Sequence, residues 1–184
     1  LHDRIAPPGW RSDAGAIELV DESGRTFDDV ARGYPHIHDY AGTFAPSTLV
    51  GLIVAAQPTA LFAAAGGTAD LHAHCAVVVR GLLYIAIGNR VACVRPQPYE
   101  LRWSSVVDDA TCFGVHYDAA HDALISHGEL QIARLDDTGR IVWSASGADI
   151  FTGAFRLASD AVEATDFDGR IHRFDYADGS PLGH

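Results

Sequence analysis

A five-residue pattern, Ile132-Ala-Arg134-Leu135-Asp136, returns 39 residues later as Ile171-His-Arg173-Phe174-Asp175, and this internal repeat constrains the fold more than any other feature. Upstream, Asp122-Ala123-Leu124 matches Asp160-Ala161-Val162 at a shift of 38. Trp103 and Trp143 stand 40 apart, each closing a strand-like run, Leu101-Arg102-Trp103 and Ile141-Val142-Trp143. After Thr48 the chain breaks into strand-length pieces at 49–56, 60–65, 71–80, 82–87, 90–95, 100–107, 112–117, 122–126, 129–135, 140–146, 154–158, 160–165 and 170–176. Gly88-Asn89, Asp137-Thr138-Gly139, Asp168-Gly169 and Asp178-Gly179 lie between them, and their Gly or Asn supplies the positive φ of tight hairpins. No apolar period of 3.6 runs through this part of the chain, so nothing there reads as an amphipathic helix.

About 13 short strands at even spacing predict an all-β antiparallel meander. A repeat near 40 residues with about four strands per unit is the spacing of a β-propeller blade, and a β-sandwich is the alternative. One such unit cannot bury its own face, so a bulky residue at a fixed place packs on the next unit. Trp103 and Trp143 are therefore expected in the core. Residues 82–182 hold three units, and 48–81 supplies strands for a fourth. Residues 1–47 read as an irregular arm: loops at Pro7-Pro8-Gly9 and 11–15, a short strand at Ala16–Val20, a turn at Asp21–Gly24, and a short helix opened by Thr26 that ends near Gly33. Arm and repeat domain (48–184) together make one compact domain. The uncharged stretch from Tyr40 to Ala69 mimics a membrane span, but Gln57-Pro58 interrupts it and no Lys or Arg flanks it closely. It is read as two buried strands, Leu49–Ala56 and Ala60–Ala65, with a turn at Gln57-Pro58.

Thr138-Gly139-Arg-Ile-Val-Trp143, preceded by Ala133-Arg134-Leu135-Asp136-Asp137, resembles the tryptophan-docking repeat of quinoprotein-type (PQQ-like) β-propellers, Ala-x-Asp-x-x-Thr-Gly-x-x-x-Trp. The Thr-Gly-x-x-x-Trp half matches, while Asp136 stands one residue too close to the Gly. Asp175-Tyr-Ala-Asp178-Gly179 has the right Asp-to-Gly spacing and no Trp after it, and the first unit has Tyr99 where the Gly belongs. The resemblance covers residues 82–182 and implies a propeller architecture. It implies no quinone, since the sequence has no adjacent Cys pair and no calcium-type site. The segment from Thr111-Cys-Phe-Gly through His127-Gly128-Glu129 and Gly147–Phe151 is also similar to a group of small bacterial proteins, a resemblance that implies no activity.

Charge narrows the partners. The 184 residues carry 19 Asp and 5 Glu against 13 Arg and no Lys, for a net charge of -11. This excludes the basic footprint of a nucleic-acid binder and disfavours docking on an anionic membrane. Residues 108–184 hold 14 acids against 5 Arg, so most of the charge lies in the repeat-bearing part, much of it as Asp in hairpin turns. Cys75, Cys93 and Cys112 are odd in number, far apart and set in apolar runs, which reads as small core residues instead of a disulfide framework. Leu1 to Trp10 contains no apolar run of signal-peptide length, and a cytoplasmic protein is expected.

Ten histidines include two His-x-His pairs, His36-Ile-His38 and His72-Ala-His74. On a strand, residues i and i+2 share a face about 6–7 Å apart, so two imidazoles can turn toward one metal ion. The second pair, read as opening a strand, is the better candidate. His116 and Asp118 share another face, with His121 beside a turn at Ala119-Ala120. The candidate site is thus a divalent-metal site of His72, His74, His116 and Asp118, with Asp118 able to orient a ring. Cys112, Gly114, His116 and Asp118 superficially align as a Cys-His triad, but four residues of strand span about 13 Å, too far for Cys112 to bond His116. No Gly-x-Ser-x-Gly, phosphate loop or His-Glu-x-x-His is present. The sequence therefore points to a non-catalytic interaction or structural module that meets a protein partner or its own copy. A metal-binding protein or small metal-dependent enzyme is the second reading.

Overall fold

The structure is a computed structural model that describes residues 4–6, 15–66 and 71–183. The loop read at Pro7-Pro8-Gly9 and most of that at 11–15 lie outside the described residues, as do Gly67 and His184.

Four sheets follow one another along the chain. The first is built from β1 (Arg4–Ile5), β2 (Ile17–Asp21), β3 (His36–Asp39), β4 (Thr48–Val54) and β5 (Gln57–Ala64), in the order β1-β2-β4-β5-β3. Among the described residues a single short helix, α1 (Phe27–Ala31), precedes β3. The second sheet is the meander β6 (Ala76–Val79), β7 (Leu82–Ile87), β8 (Arg90–Arg95) and β9 (Glu100–Val106). The third is β10 (Cys112–Asp118), β11 (Ala123–Gly128), β12 (Ile132–Leu135) and β13 (Ile141–Ala145). The fourth is β14 (Phe155–Leu157), β15 (Val162–Thr165) and β16 (Ile171–Phe174). The last three sheets repeat at the spacing read from the sequence.

Period-2 alternation explains how the sheets stack. On β7, Leu83, Ile85 and Ile87 face the first sheet, and Tyr84 and Ala86 face the third. β8 divides likewise, with Ala92 and Val94 on one side and Val91 and Cys93 on the other. A strand buried on both faces must be apolar throughout, which is why Leu82–Ile87 shows no polar alternation. The third and fourth sheets share Ile125, Ile132, Trp143, Phe151, Val162 and Phe174. Each fully buried side chain of this kind contributes roughly 1.5–3 kcal/mol.

The two end faces differ. Beneath α1, Val30 and Tyr34 cover Leu49, Leu61 and Ala63 of the first sheet. The outer face of the fourth carries charge: Glu163 pairs with both Arg156 and Arg173, and Arg173 also pairs with Asp160 at 2.7 Å. Here β15 alternates apolar and charged, as a strand with one wet face should.

Successive sheets are joined by an indole resting on a glycine. The Trp103 indole N–H donates to the Asp137 carbonyl at 2.9 Å, and its ring lies where a side chain at Gly139 would stand, 2.5 Å from an ideal Cβ. Trp143 repeats the arrangement with the Tyr176 carbonyl at 2.9 Å and Gly179 at 2.6 Å. Both glycines have positive φ, +82° and +71°. The degenerate motif therefore works across sheets, each Trp docking on the following turn.

Three local readings change. The β4–β5 turn falls at Ala55-Ala56, both at positive φ (49° and 61°), and Gln57-Pro58 begins β5. Proline's missing N–H costs nothing where it stands opposite Ile53 at a register shift. The stretch read as an irregular arm supplies three strands of the first sheet, with the short helix as expected. One of those strands, β3, pairs parallel to β5, while the strands after residue 47 pair antiparallel with one another as expected. Finally, β6 starts at Ala76, so His72 and His74 occupy a turn and not a strand.

Candidate functional site

Two features stand out: a cleft between the second and third sheets and a histidine pocket shared by the second, third and fourth.

The cleft has a volume of about 490 Å³ and opens at the β6–β7, β10–β11 and β12–β13 turns. Val79, Leu82, Leu124 and Leu135 give it apolar walls, and Val142 stands beside them half exposed. At one rim the Arg80 guanidinium donates to Asp122 at 2.9 Å, and the Tyr117 hydroxyl donates to the same carboxylate at 2.6 Å. At the other rim are Asp136 and Asp137. The Asp136 carboxylate is held by its own turn, accepting from the Thr138 hydroxyl and from the N–H groups of Thr138 and Arg140. These bonds, the Thr138 hydroxyl foremost, hold its pKa down at about 2. Burial pushes the Tyr84 phenol up to about 12, so it stays a neutral hydroxyl in the cleft.

The histidine pocket, of about 210 Å³, is lined by His72, His74, His116, His127, Phe113 and Phe155. Ring centroids lie 4.8 Å apart for His74–His116 and 6.4 Å for His116–His127. Phe155, on β14 of the next sheet, sits 4.4 Å from His116 and 4.7 Å from His127. Burial, together with neighbouring imidazoles, lowers His116 to about 3 and His127 to about 4, so both are neutral at pH 7. The buried Nε2 of His127 has no hydrogen-bond partner.

Of the residues read from the sequence, His72, His74 and His116 come together and Asp118 does not join them. Asp118 shares a strand face with His116, but two residues of β10 carry it to the turn. There it accepts from Ala120 N–H at 2.8 Å and bonds the His121 ring at 2.9 Å, and that ring stacks on Tyr176. His72 is committed to backbone at both nitrogens: Nε2 meets the Phe113 carbonyl at 2.8 Å, and Nδ1 accepts from His74 N–H at 3.1 Å. Among the described residues no group of three or more His, Cys, Asp or Glu is arranged to hold a metal ion. The other pair lies elsewhere, on β3: His36 stacks on Tyr99 and His38 Nε2 meets the Tyr99 hydroxyl at 2.6 Å. His127 was missed by sequence reading. Its signal is the β10–β11 hairpin, whose register places Gly114 opposite His127 and His116 opposite Ile125.

No protein-family model and no curated protein sequence matches this chain. Solved structures do. BamB from Moraxella catarrhalis aligns over 98% of this chain and 50% of its own at 14% identity, with a TM-score of 0.51. BBS1N, solved in complex with ARL6DN, aligns over 100% and 51% at 13% identity, with a TM-score of 0.52. The computationally designed Ika8 protein aligns over 95% and 59% at 10% identity, also with a TM-score of 0.52. The fold is β-propeller-like. The chain spans half to three fifths of the length of these structures, and at such identities the likeness concerns architecture alone. Among the described residues no helix is long and apolar enough to cross a membrane.

Proposed function

We propose that this chain is a protein-interaction module and that the cleft between the second and third sheets is its docking site. One observation carries the reading: the cleft combines open apolar walls with charged rims, the composition of a surface that takes an extended segment of another protein. The lining suits an aliphatic anchor between Val142 and Leu82, with a basic residue beside Asp136 and Asp137. That preference agrees with the acidic balance of residues 108–184. The solved complex of BBS1N with ARL6DN supports such a use of this architecture. The repeat itself is proposed to be of the quinoprotein type in its packing, supported by Trp103 on Gly139 and Trp143 on Gly179.

Quantitative capture from the source cell tests the docking site. Val142→Arg, at a half-exposed cleft position, is expected to abolish a partner that the wild type retains. Ile171→Arg, 52% exposed on the fourth sheet, is expected to keep it. Identical partner sets for wild type and Val142→Arg would overturn the assignment.

A further inference from the structure

Five charged side chains line the cleft between the second and third sheets, and four of them are occupied within the fold. Arg80 is taken by Asp122, whose carboxylate also accepts from the Tyr117 hydroxyl. Asp136 is taken by its own turn and by the Arg140 guanidinium at 3.0 Å. Arg134 donates to the Tyr176 carbonyl at 2.7 Å, on the side of the fourth sheet. Asp137 is the fifth. Among the described residues no donor meets its carboxylate, while its main-chain carbonyl holds the Trp103 indole. The carboxylate acts on the cleft wall: burial first, then Cys93 and Asp137, push the Tyr84 phenol up.

Neither Asp137 nor Val142 is a side chain that the repeat requires. The joint between sheets uses only a main-chain oxygen at residue 137, and the corresponding acceptor for Trp143 is the carbonyl of Tyr176. Val142 stands at the β12–β13 register shift, between Ile141 opposite Leu135 and Trp143 opposite Arg134. Forty residues earlier, at the same kind of shift between β8 and β9, stands Arg102, which pairs with Glu100 at 3.5 Å. The third sheet thus has a half-exposed aliphatic side chain where the second has a paired charge. It also has a free carboxylate where the fourth has an aromatic ring. Both departures line the same cleft.

We infer that Asp137 selects what docks in the cleft, binding an arginine that lies on the same face of an extended segment as the aliphatic side chain seated at Val142. The inference rests on the docking site proposed above and names the residue that gives it specificity. In an extended segment alternate side chains share a face at about 6–7 Å, so the arginine stands roughly two or four residues from the aliphatic anchor. A guanidinium suits the place better than an ammonium. Its planar fork takes both carboxylate oxygens, and its weaker hydration costs less beside Leu135 and Tyr84. An acidic residue there meets the repulsion of Asp137, and Arg80 at the far rim is already spent on Asp122. A second copy of this chain is the poorer occupant, because two molecules of net charge -11 repel.

Selection of a displayed library of short random peptides on the immobilised full chain, at one fixed salt concentration, tests the inference. Enriched peptides are expected to pair an aliphatic residue with an arginine at even spacing. A synthetic copy of the most enriched peptide should bind Asp137→Asn about tenfold more weakly than wild type, the loss of one charge-assisted contact. That variant keeps the carbonyl that holds Trp103 and breaks no side-chain bond. Asp168→Asn, the same charge change in the β15–β16 turn, is expected to leave the affinity unchanged. Asp137→Arg should refuse the peptide and accept its version with glutamate in place of the arginine, a reversal that a merely structural role would not produce. Peptides that are lost on Val142→Arg yet enrich no arginine, or bind Asp137→Asn as well as wild type, would overturn the role of Asp137 and leave the docking site standing. If no enriched peptide is lost on Val142→Arg, both fall.

Discussion

Gly139 and Gly169 offer a controlled measurement of what joins neighbouring sheets. Each occupies the same kind of turn: Gly139 N–H donates to the Asp136 carbonyl at 3.1 Å and Gly169 N–H to that of Asp166 at 3.0 Å, with φ of +82° and +83°. An Arg follows each glycine. They differ in what lies above them. Nothing stands within 4 Å of a Cβ at Gly169, while a Cβ at Gly139 meets the Trp103 ring at 2.5 Å. Alanine at either position pays the left-handed penalty of roughly 1–2 kcal/mol, partly offset by about 0.4–1 kcal/mol from the less flexible unfolded chain. Gly169→Ala should therefore cost about 1 kcal/mol. Gly139→Ala must also push the indole back by about an ångström. Trp103 is only partly buried, so it removes about half of the roughly 150–250 Å² of a fully buried indole, worth about 2–3 kcal/mol at about 25 cal/mol per Å². Losing about a third of that, and about 1 kcal/mol for the indole bond to Asp137, adds about 2 kcal/mol. Equilibrium urea unfolding followed by far-UV circular dichroism should place Gly139→Ala about 2 kcal/mol below Gly169→Ala. Two variants within about 0.5 kcal/mol of each other would show that the indole is not a structural joint, and the argument from the repeat would fail.

Two further outcomes test the core. The Asp108 carboxylate is buried and accepts four backbone N–H groups, those of Ala110 and Thr111 on one oxygen and of Leu130 and Gln131 on the other. Asp108→Asn replaces one acceptor with a donor, leaving two N–H groups facing an NH2, and should cost about 3–5 kcal/mol in the same urea assay; a loss under 1 kcal/mol would refute the role. Cys75, Cys93 and Cys112 are buried, and burial pushes the Cys93 thiol up to about 11 and Cys112 to about 12. A disulfide exchange reagent at pH 8 should find no fast thiol in the native protein and three in urea; one fast native thiol would contradict this packing.

Much of the architecture was legible because its causes are local. The unbroken apolar run Leu82–Ile87, the alternating run Val162–Thr165 and turns such as Asp137-Thr138-Gly139 carry their own strand and hairpin signals. The 40-residue spacing of Trp103 and Trp143 marked the two rings that dock on the following turn, Trp143 buried and Trp103 partly so. The Ala55-Ala56 turn escaped because alanine rarely takes positive φ, and only pairing on both sides, with Ala55 N–H donating to the Ala16 carbonyl, holds it there.

The candidate site divides along the same line. By itself the sequence determined that histidines were numerous, that His72 and His74 stood close together, and that His116 lay on a strand. Tertiary structure alone decided which rings meet. The β10–β11 register brought in His127, the turn before β6 committed both nitrogens of His72, and the same strand that carries His116 inward carries Asp118 to a different cluster. Side chains far apart in the chain are brought together by sheet register and stacking, and neither is encoded within a short window of residues. Strand period and turn chemistry act over two to four residues, so they can be read from the sequence; the company each histidine keeps depends on which sheet packs next.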